Sequence, residues 1–191
     1  MNLSLNQFRI LFLSLAVLVL DQVTKLIVRS TMSLHESIPV LGNFFKLSYI
    51  ENSGMAFGIS IINNTFFTLF AVVASITILV YLFKMKGDQL AARLALAIIF
   101  GGAVGNLSDR IIRGSVVDFF DFEFFNIHIP AFKLLFFNFP GYSLTRWPVF
   151  NVADMAVSIG MVILLVFVAF EKESAPSKNA LVDDTETEMI R

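Results

Sequence analysis

Apolar positions along this chain do not recur at the short intervals of amphipathic surface elements; they run together in long stretches separated by charged and turn-forming residues. Stretches near residues 10–28, 65–83, 90–112 and 152–170 reach the ~20 residues that cross ~30 Å of hydrocarbon at about 1.5 Å per residue. Each is predicted to be a membrane-spanning helix. The first follows Arg9 and has the look of a secretory leader, but Asp21 and Lys25 stand where a small-residue cleavage site would be needed, which predicts a retained helix.

Between the spans lie two longer polar segments, 29–64 and 113–150, in which β-branched and aromatic residues are punctuated by Gly, Pro and Asn. Short strands are predicted in both. In the second, Asp121-Phe122-Glu123-Phe124 and Asn126-Ile127-His128-Ile129 alternate polar with apolar, and Pro140-Gly141 is expected to mark a turn. The Phe residues here, with Tyr142 and Trp147, suit either a membrane–water boundary or a packed aromatic core. From Glu171 onward the chain turns polar and acidic, too poor in apolar residues to fold alone, so 171–191 reads as a disordered cytoplasmic tail. The expected architecture is an all-α polytopic membrane protein: one membrane-embedded domain over 1–170, with four transmembrane helices and a small extracytoplasmic β-containing cradle.

Composition agrees, at 57% hydrophobic and only 15% charged residues. A net charge of −1 without a dense Lys/Arg cluster argues against nucleic-acid binding. With no cysteine there is no thiol nucleophile and no thiolate metal site, and His35 and His128 lack other ligand-like groups at suitable spacing, so no metal or cofactor is expected. Lys84, Lys86 and Arg93 crowd the short connection between the second and third spans, which predicts both termini in the cytoplasm.

Candidate chemistry lies where polar residues enter the apolar spans. Asp21 and Lys25 are four apart on one helix face, in the favourable acid-before-base order, and read first as a structural ion pair. In the third span, Gly101-Gly102-Ala103-Val104-Gly105 has the small-residue spacing that lets helices approach, and Asn106-Leu107-Ser108-Asp109-Arg110 follows. A charge at mid-membrane costs ~3 kcal/mol even on a lenient scale, so Asp109 and Arg110 should face the bundle, each toward different neighbours. Asp118 follows the third span, and Asp154 falls at the third position of a helix that Asn151 can cap. Alone, each has an ordinary explanation, as a solvated loop carboxylate and as a capping residue. Because the third span exits where the fourth enters, both carboxylates reach one interface, and such a pair supplies the base and the acid that peptide hydrolysis requires. The first turn of a helix favours an ionised Asp154, so a shared proton is expected mainly on Asp118.

Four blocks then carry a resemblance: Asp21-Gln22-Val23-Thr24-Lys25; Glu51-Asn52-Ser53-Gly54-Met55-Ala56-Phe57; Gly105-Asn106-Leu107-Ser108-Asp109-Arg110 with Val117-Asp118-Phe119; and Phe150-Asn151-Val152-Ala153-Asp154. In this order, over residues 10 to 170, the chain resembles the lipoprotein signal peptidases. The resemblance implies an aspartic endopeptidase of the bacterial inner membrane that removes signal peptides from diacylglyceryl-modified prolipoproteins, cutting before the lipid-modified cysteine. It implies a catalytic pair at Asp118 and Asp154, a substrate cleft lined by Asn52, Asn106, Arg110 and Asn151, and supporting roles for Asp21, Lys25, Gly54 and Asp109. Its partners would be those substrates and membrane lipids, with no obligate protein partner. Met55 stands where a smaller residue is expected, and 120–147 is longer than the family's usual segment. Intramembrane Asp, Lys and Arg also build ion paths, so a small transporter or channel is the alternative, and a scaffold with structural ion pairs is a third reading.

Overall fold

All four apolar stretches are helices in the computed structural model, which describes residues 5–53, 64–85, 89–123, 127–134 and 137–174. They form α1 (Leu5–Thr31), α2 (Asn64–Lys84), α3 (Leu90–Arg113) and α4 (Val152–Ser174). Each holds a window long and apolar enough to cross a membrane: Phe8–Thr31, Thr65–Lys84, Leu90–Arg113 and Val152–Phe170. α1 overruns its apolar stretch at both ends, because backbone hydrogen bonding continues for a turn after hydropathy fades. For the same reason α4 continues through Glu171-Lys172-Glu173 to Ser174, where the tail was expected to begin; 175–191 lie outside the described residues.

Polarity in the bundle is the reverse of that in a water-soluble core. Phe12, Phe66, Phe70 and Leu165 are all more than half exposed, whereas the largest fully buried side chains are Lys25, Val117, Asn151, Asp21 and Asp109. Hydrocarbon accepts the first group without cost and would penalise the second, so apolar side chains face outward and ionic ones inward. α3 is the central helix, packed on α1, α2 and α4. Its small residues set those distances: a Cβ at Gly102 would fall 2.5 Å from the Ala153 carbonyl oxygen of α4, and one at Gly105 would fall 2.5 Å from Asp21 Oδ2 of α1. Where those helices touch, nothing larger than hydrogen fits.

Among the described residues seven short strands follow α1 and α3: β1 (Ser37–Leu41), β2 (Phe45–Asn52), β3 (Val116–Phe122), β4 (Ile127–Ile129), β5 (Phe132–Leu134), β6 (Phe137–Phe139) and β7 (Tyr142–Leu144). The first three form an antiparallel sheet in the order β1-β2-β3. β3 starts directly after α3 because Gly114, at φ +77°, takes the left-handed conformation and returns its N–H to the Arg110 carbonyl, ending the helix. On the sheet, Phe45 stacks on Phe122 at 4.5 Å and Phe122 on Phe150 at 5.8 Å, while Phe44, edge-on to Phe122, and Trp147 stay close to half exposed. The aromatic residues thus serve as packed core in one part and as open surface in another.

Pro140-Gly141 does not reverse the chain as expected. β4 pairs with β7 and β5 with β6, so β4 and β5 form one arm of a hairpin and β6 and β7 the other, with Leu134 opposite Phe137. Pro140-Gly141 lies opposite Pro130-Ala131, where proline cannot donate to a ladder and Gly141 has φ +83°, and the two pairs interrupt the hairpin midway. At its base, Arg146 donates to Asp121 at 2.7 Å and to Glu123 at 2.9 Å, and the Trp147 N–H donates to the Phe122 carbonyl.

Candidate active site

Residues far apart in sequence converge where the helices meet the sheet. The decisive link is main-chain: Phe120 and Phe150 exchange hydrogen bonds at 2.8 and 3.1 Å, and the Phe119 N–H also donates to the Phe150 carbonyl. This bridge ties the residues after Asp118 to the residue before the N-cap of α4. Asn151 caps that helix reciprocally, its Oδ1 accepting from the Asp154 N–H at 3.0 Å while its own N–H donates to Asp154 Oδ2 at 3.1 Å. Capping and convergence are therefore one arrangement: the residue that starts α4 also aims Asp154 at the junction.

Around the two carboxylates the partners are amides. Asn151 Nδ2 donates to Asp118 Oδ1 at 2.6 Å, and Asn52 Nδ2 donates to Asp118 Oδ2 at 3.2 Å. Asn52 reaches it because it pairs with Val116 across β2 and β3, making Asp118 its diagonal neighbour on the same face. Asn106 Nδ2 donates to Asp154 Oδ1 at 2.8 Å, and Asn106 Oδ1 accepts from Asn151 Nδ2 at 3.1 Å. Asp118 is 4% exposed. Burial, reinforced by the negative charge of Asp154, pushes its carboxyl from the ordinary 3.8 up to about 7, against the pull of the Asn52 and Asn151 donors and the Lys25 charge. A carboxyl there exchanges its proton near neutrality, as a general acid must.

Arg110 feels the fields of Asp154, Asp118 and Asp109 in that order, and its Nε is buried without a hydrogen-bond partner among the described residues. Asp109, on the adjacent position, turns instead to Lys25 and Arg113. The two thus face different neighbours, as adjacent helical residues must. Lys25 Nζ lies 2.8 Å from each of Asp21 Oδ2, Asp109 Oδ2 and Asn106 Oδ1, with both ionic partners fully buried. Asp21 Oδ1 also accepts from the Ala153 N–H of α4 at 3.0 Å. The Asp21–Lys25 pair is therefore the α1 side of a network reaching α3 and α4.

The structure brings together nine of the ten residues singled out from sequence; the tenth, Gly54, lies outside the described residues, as does Met55. Sequence reasoning passed over Gln22, whose Nε2 donates to Asp21 Oδ2 at 3.1 Å and to the Gly105 carbonyl at 3.2 Å. It also passed over Arg113, although its position four after Asp109 was a readable signal. Nor did it single out Glu51, which accepts from the Tyr49 hydroxyl at 2.7 Å and Ser115 at 3.0 Å; the Tyr49 bond holds its carboxyl below the usual range.

Beside Asp154, a cleft of about 330 Å³ opens on the outer surface of α4, lined by Trp147, Phe150, Asp154, Met155, Ser158 and Ile159. Its walls are mainly apolar, and among the described residues the carboxylate is its one charged group. No group of acidic and histidine side chains suited to a metal ion occurs among the described residues.

Four spanning helices, a small antiparallel sheet and a carboxylate site at their junction define a multi-pass membrane enzyme. A solved structure described as a bacterial membrane enzyme determined by the in meso method superposes with a TM-score of 0.68 at 28% identity, covering 89% of this chain and 92% of that one. The family model for signal peptidase (SPase) II matches residues 13–170. The lipoprotein signal peptidase of Syntrophotalea carbinolica is 38% identical, covering 86% of this chain and 93% of that protein; that of Syntrophus aciditrophicus is 41% identical, covering 82% and 91%. The chain belongs to the signal peptidase II family. The transporter or channel alternative finds no support in these relatives.

Proposed function

We propose that the protein is an aspartic endopeptidase that cleaves diacylglyceryl-modified prolipoproteins before the lipid-bearing cysteine, with Asp118 and Asp154 as its catalytic pair. The observation that carries this reading is the position of Asp154, at once half of an amide-held carboxylate pair and the polar end of an apolar cleft on the face turned to lipid. A water-soluble peptide has no reason to approach from that side, whereas an acylated one can lay its chains along Met155 and Ile159 and bring its peptide bond to the carboxylates. Lys84 and Arg93, flanking the connection between α2 and α3, support cytoplasmic termini and a site near the outer leaflet of the inner membrane.

In the chemistry that follows, ionised Asp154 takes a proton from water as it attacks the scissile carbonyl, and Asp118 gives its proton to the departing amine. Arg110 and Asn52 hold the substrate backbone, the former through its planar guanidinium fork. Incubating the purified protein with matched diacylated and non-acylated preproteins tests the reading. Only the acylated form should be cut, with the modified cysteine as the new N-terminus. Equal cleavage of both, or cleavage elsewhere, would refute it.

A further inference from the structure

Lys25 is absolutely buried, yet its ammonium does more than neutralise carboxylates. Its three N–H donors meet three acceptors at 2.8 Å, two of them the ionic partners Asp21 and Asp109, the third the side-chain oxygen of Asn106. An ammonium can only donate, so the end of Asn106 that faces Lys25 is its carbonyl and the opposite end is the NH₂ group. That NH₂ group points at Asp154 Oδ1. The second oxygen of Asp154 accepts from the Asn151 main-chain N–H, another obligate donor, and the Asp154 N–H in turn fixes Asn151 with its carbonyl toward α4 and its NH₂ toward Asp118. Both amides that flank Asp154 are thereby oriented by obligate donors, Asn106 by Lys25 and Asn151 by a main-chain N–H, and both Asp154 oxygens are left as acceptors.

Resting on the assignment of Asp154 as base, we propose that Lys25 is a positioning residue for the hydrolytic pair, acting through Asn106 to hold Asp154 as an acceptor aimed at water. The surrounding charges allow this role to be separated from simple scaffolding. Lys25, Asp21, Asp109 and Arg113 form a quartet of two cations and two anions. Lys25→Met with Asp21→Asn removes one cation and one anion, breaking two of the three ion pairs, and takes away the donor to Asn106. Asp109→Asn with Arg113→Met likewise removes one cation and one anion and breaks two ion pairs, but leaves Lys25 on Asp21 and Asn106. Both doubles keep net charge unchanged, so neither strands a lone buried ion.

The experiment compares the two doubles for kcat and KM on a diacylated preprotein in detergent, with thermal midpoints recorded alongside. Lys25→Met/Asp21→Asn should lose at least about tenfold in kcat, the value of one charge-assisted hydrogen bond, at a KM within about twofold. Asp109→Asn/Arg113→Met should stay within about twofold of the parent at a similar midpoint. Equal kcat in the two doubles would overturn the proposal. If the methionine double fails to insert, Lys25→Arg carries the test. It keeps the charge, but a flat guanidinium cannot present three tetrahedral donors from one point, so its kcat should fall while KM holds; parental kcat in Lys25→Arg would overturn the proposal. Asp154→Asn in the same assay reports on the underlying assignment, since retained activity there would remove the base itself.

Discussion

Two pairs of carboxylates lie within the same junction and are treated in opposite ways. Asp21 and Asp109 are fully buried against cations, Lys25 for both and Arg113 for the second. Asp118 and Asp154 receive no direct ion pair among the described residues and are held by the amides of Asn52, Asn106 and Asn151 and one main-chain N–H. A cation at contact gives a carboxylate a fixed ionic partner, whereas amides can hydrogen-bond either form and leave the proton free to move. The first pair therefore joins α1 to α3 and α4, and the second is equipped for proton transfer. Asp121, paired with Arg146 at the edge of the sheet, belongs with the first kind.

The largest expected effect is a crossed one. Asp118→Asn and Asp154→Asn should each lower the cleavage rate by at least about 10³-fold, within the range a positioned acid or base supplies, while leaving the thermal midpoint close to the parent. Asp109→Asn should do the reverse, losing stability by ~3–5 kcal/mol because Lys25 and Arg113 are left with a surplus buried charge. Measuring rate and midpoint together on all three breaks the comparison if the dyad variants melt early or the Asp109 variant loses only activity.

Arg110→Lys comes next. A lysine restores charge beside Asp118 and Asp154 but not the planar fork, so kcat/KM should fall roughly tenfold to a hundredfold, the worth of a hydrogen bond to a charged group. An unaffected lysine variant would reduce Arg110 to a generic positive charge.

Smallest is Asn52→Ala, which removes one donor to Asp118 and should cost roughly threefold to tenfold in rate. Its more telling readout is the pH profile. The Asn52 bond pulls Asp118 down from a position set by burial, so without it the carboxyl rises further and the alkaline limb of activity moves to higher pH. The stability sign follows from the same raised value: the folded protein keeps a proton that the unfolded chain releases near 3.8, so the stability from Asp118 is present below that pH and lost as pH rises through about 7. A limb moving to lower pH in Asn52→Ala would contradict the geometry.

Much of this was legible in the chain because membranes simplify the code. Hydropathy alone located all four helices, the cost of a charge in hydrocarbon turned Asp109 and Arg110 inward, and the four-residue spacing paired Asp21 with Lys25, whereas Asn106 was marked only by the family resemblance. The chain order of the spans brought Asp118 and Asp154 to one end. What could not be read was anything set by registers between elements. The bulge between Leu47 and Ile50, the bridge from Phe120 to Phe150 and the nesting of β4 to β7 depend on pairing distant residues, and Pro140-Gly141 looked like a turn because a turn and a break share the same local chemistry. Gln22 escaped notice since a glutamine near a charged face is usually solvated; only the closeness of α1 and α3 at Gly105 buries its role.

The central claim is that, of these carboxylates, Asp118 carries the exchangeable proton at rest. Infrared difference spectroscopy of the purified enzyme, titrated from pH 5 to 9 on the scale of ordinary carboxylate and histidine ranges, observes it directly through the protonated-carboxyl band. The band should fade with a midpoint near pH 7, persist in Asp154→Asn and vanish in Asp118→Asn. A band that survives in Asp118→Asn and disappears in Asp154→Asn would place the proton on the other carboxylate and contradict the account.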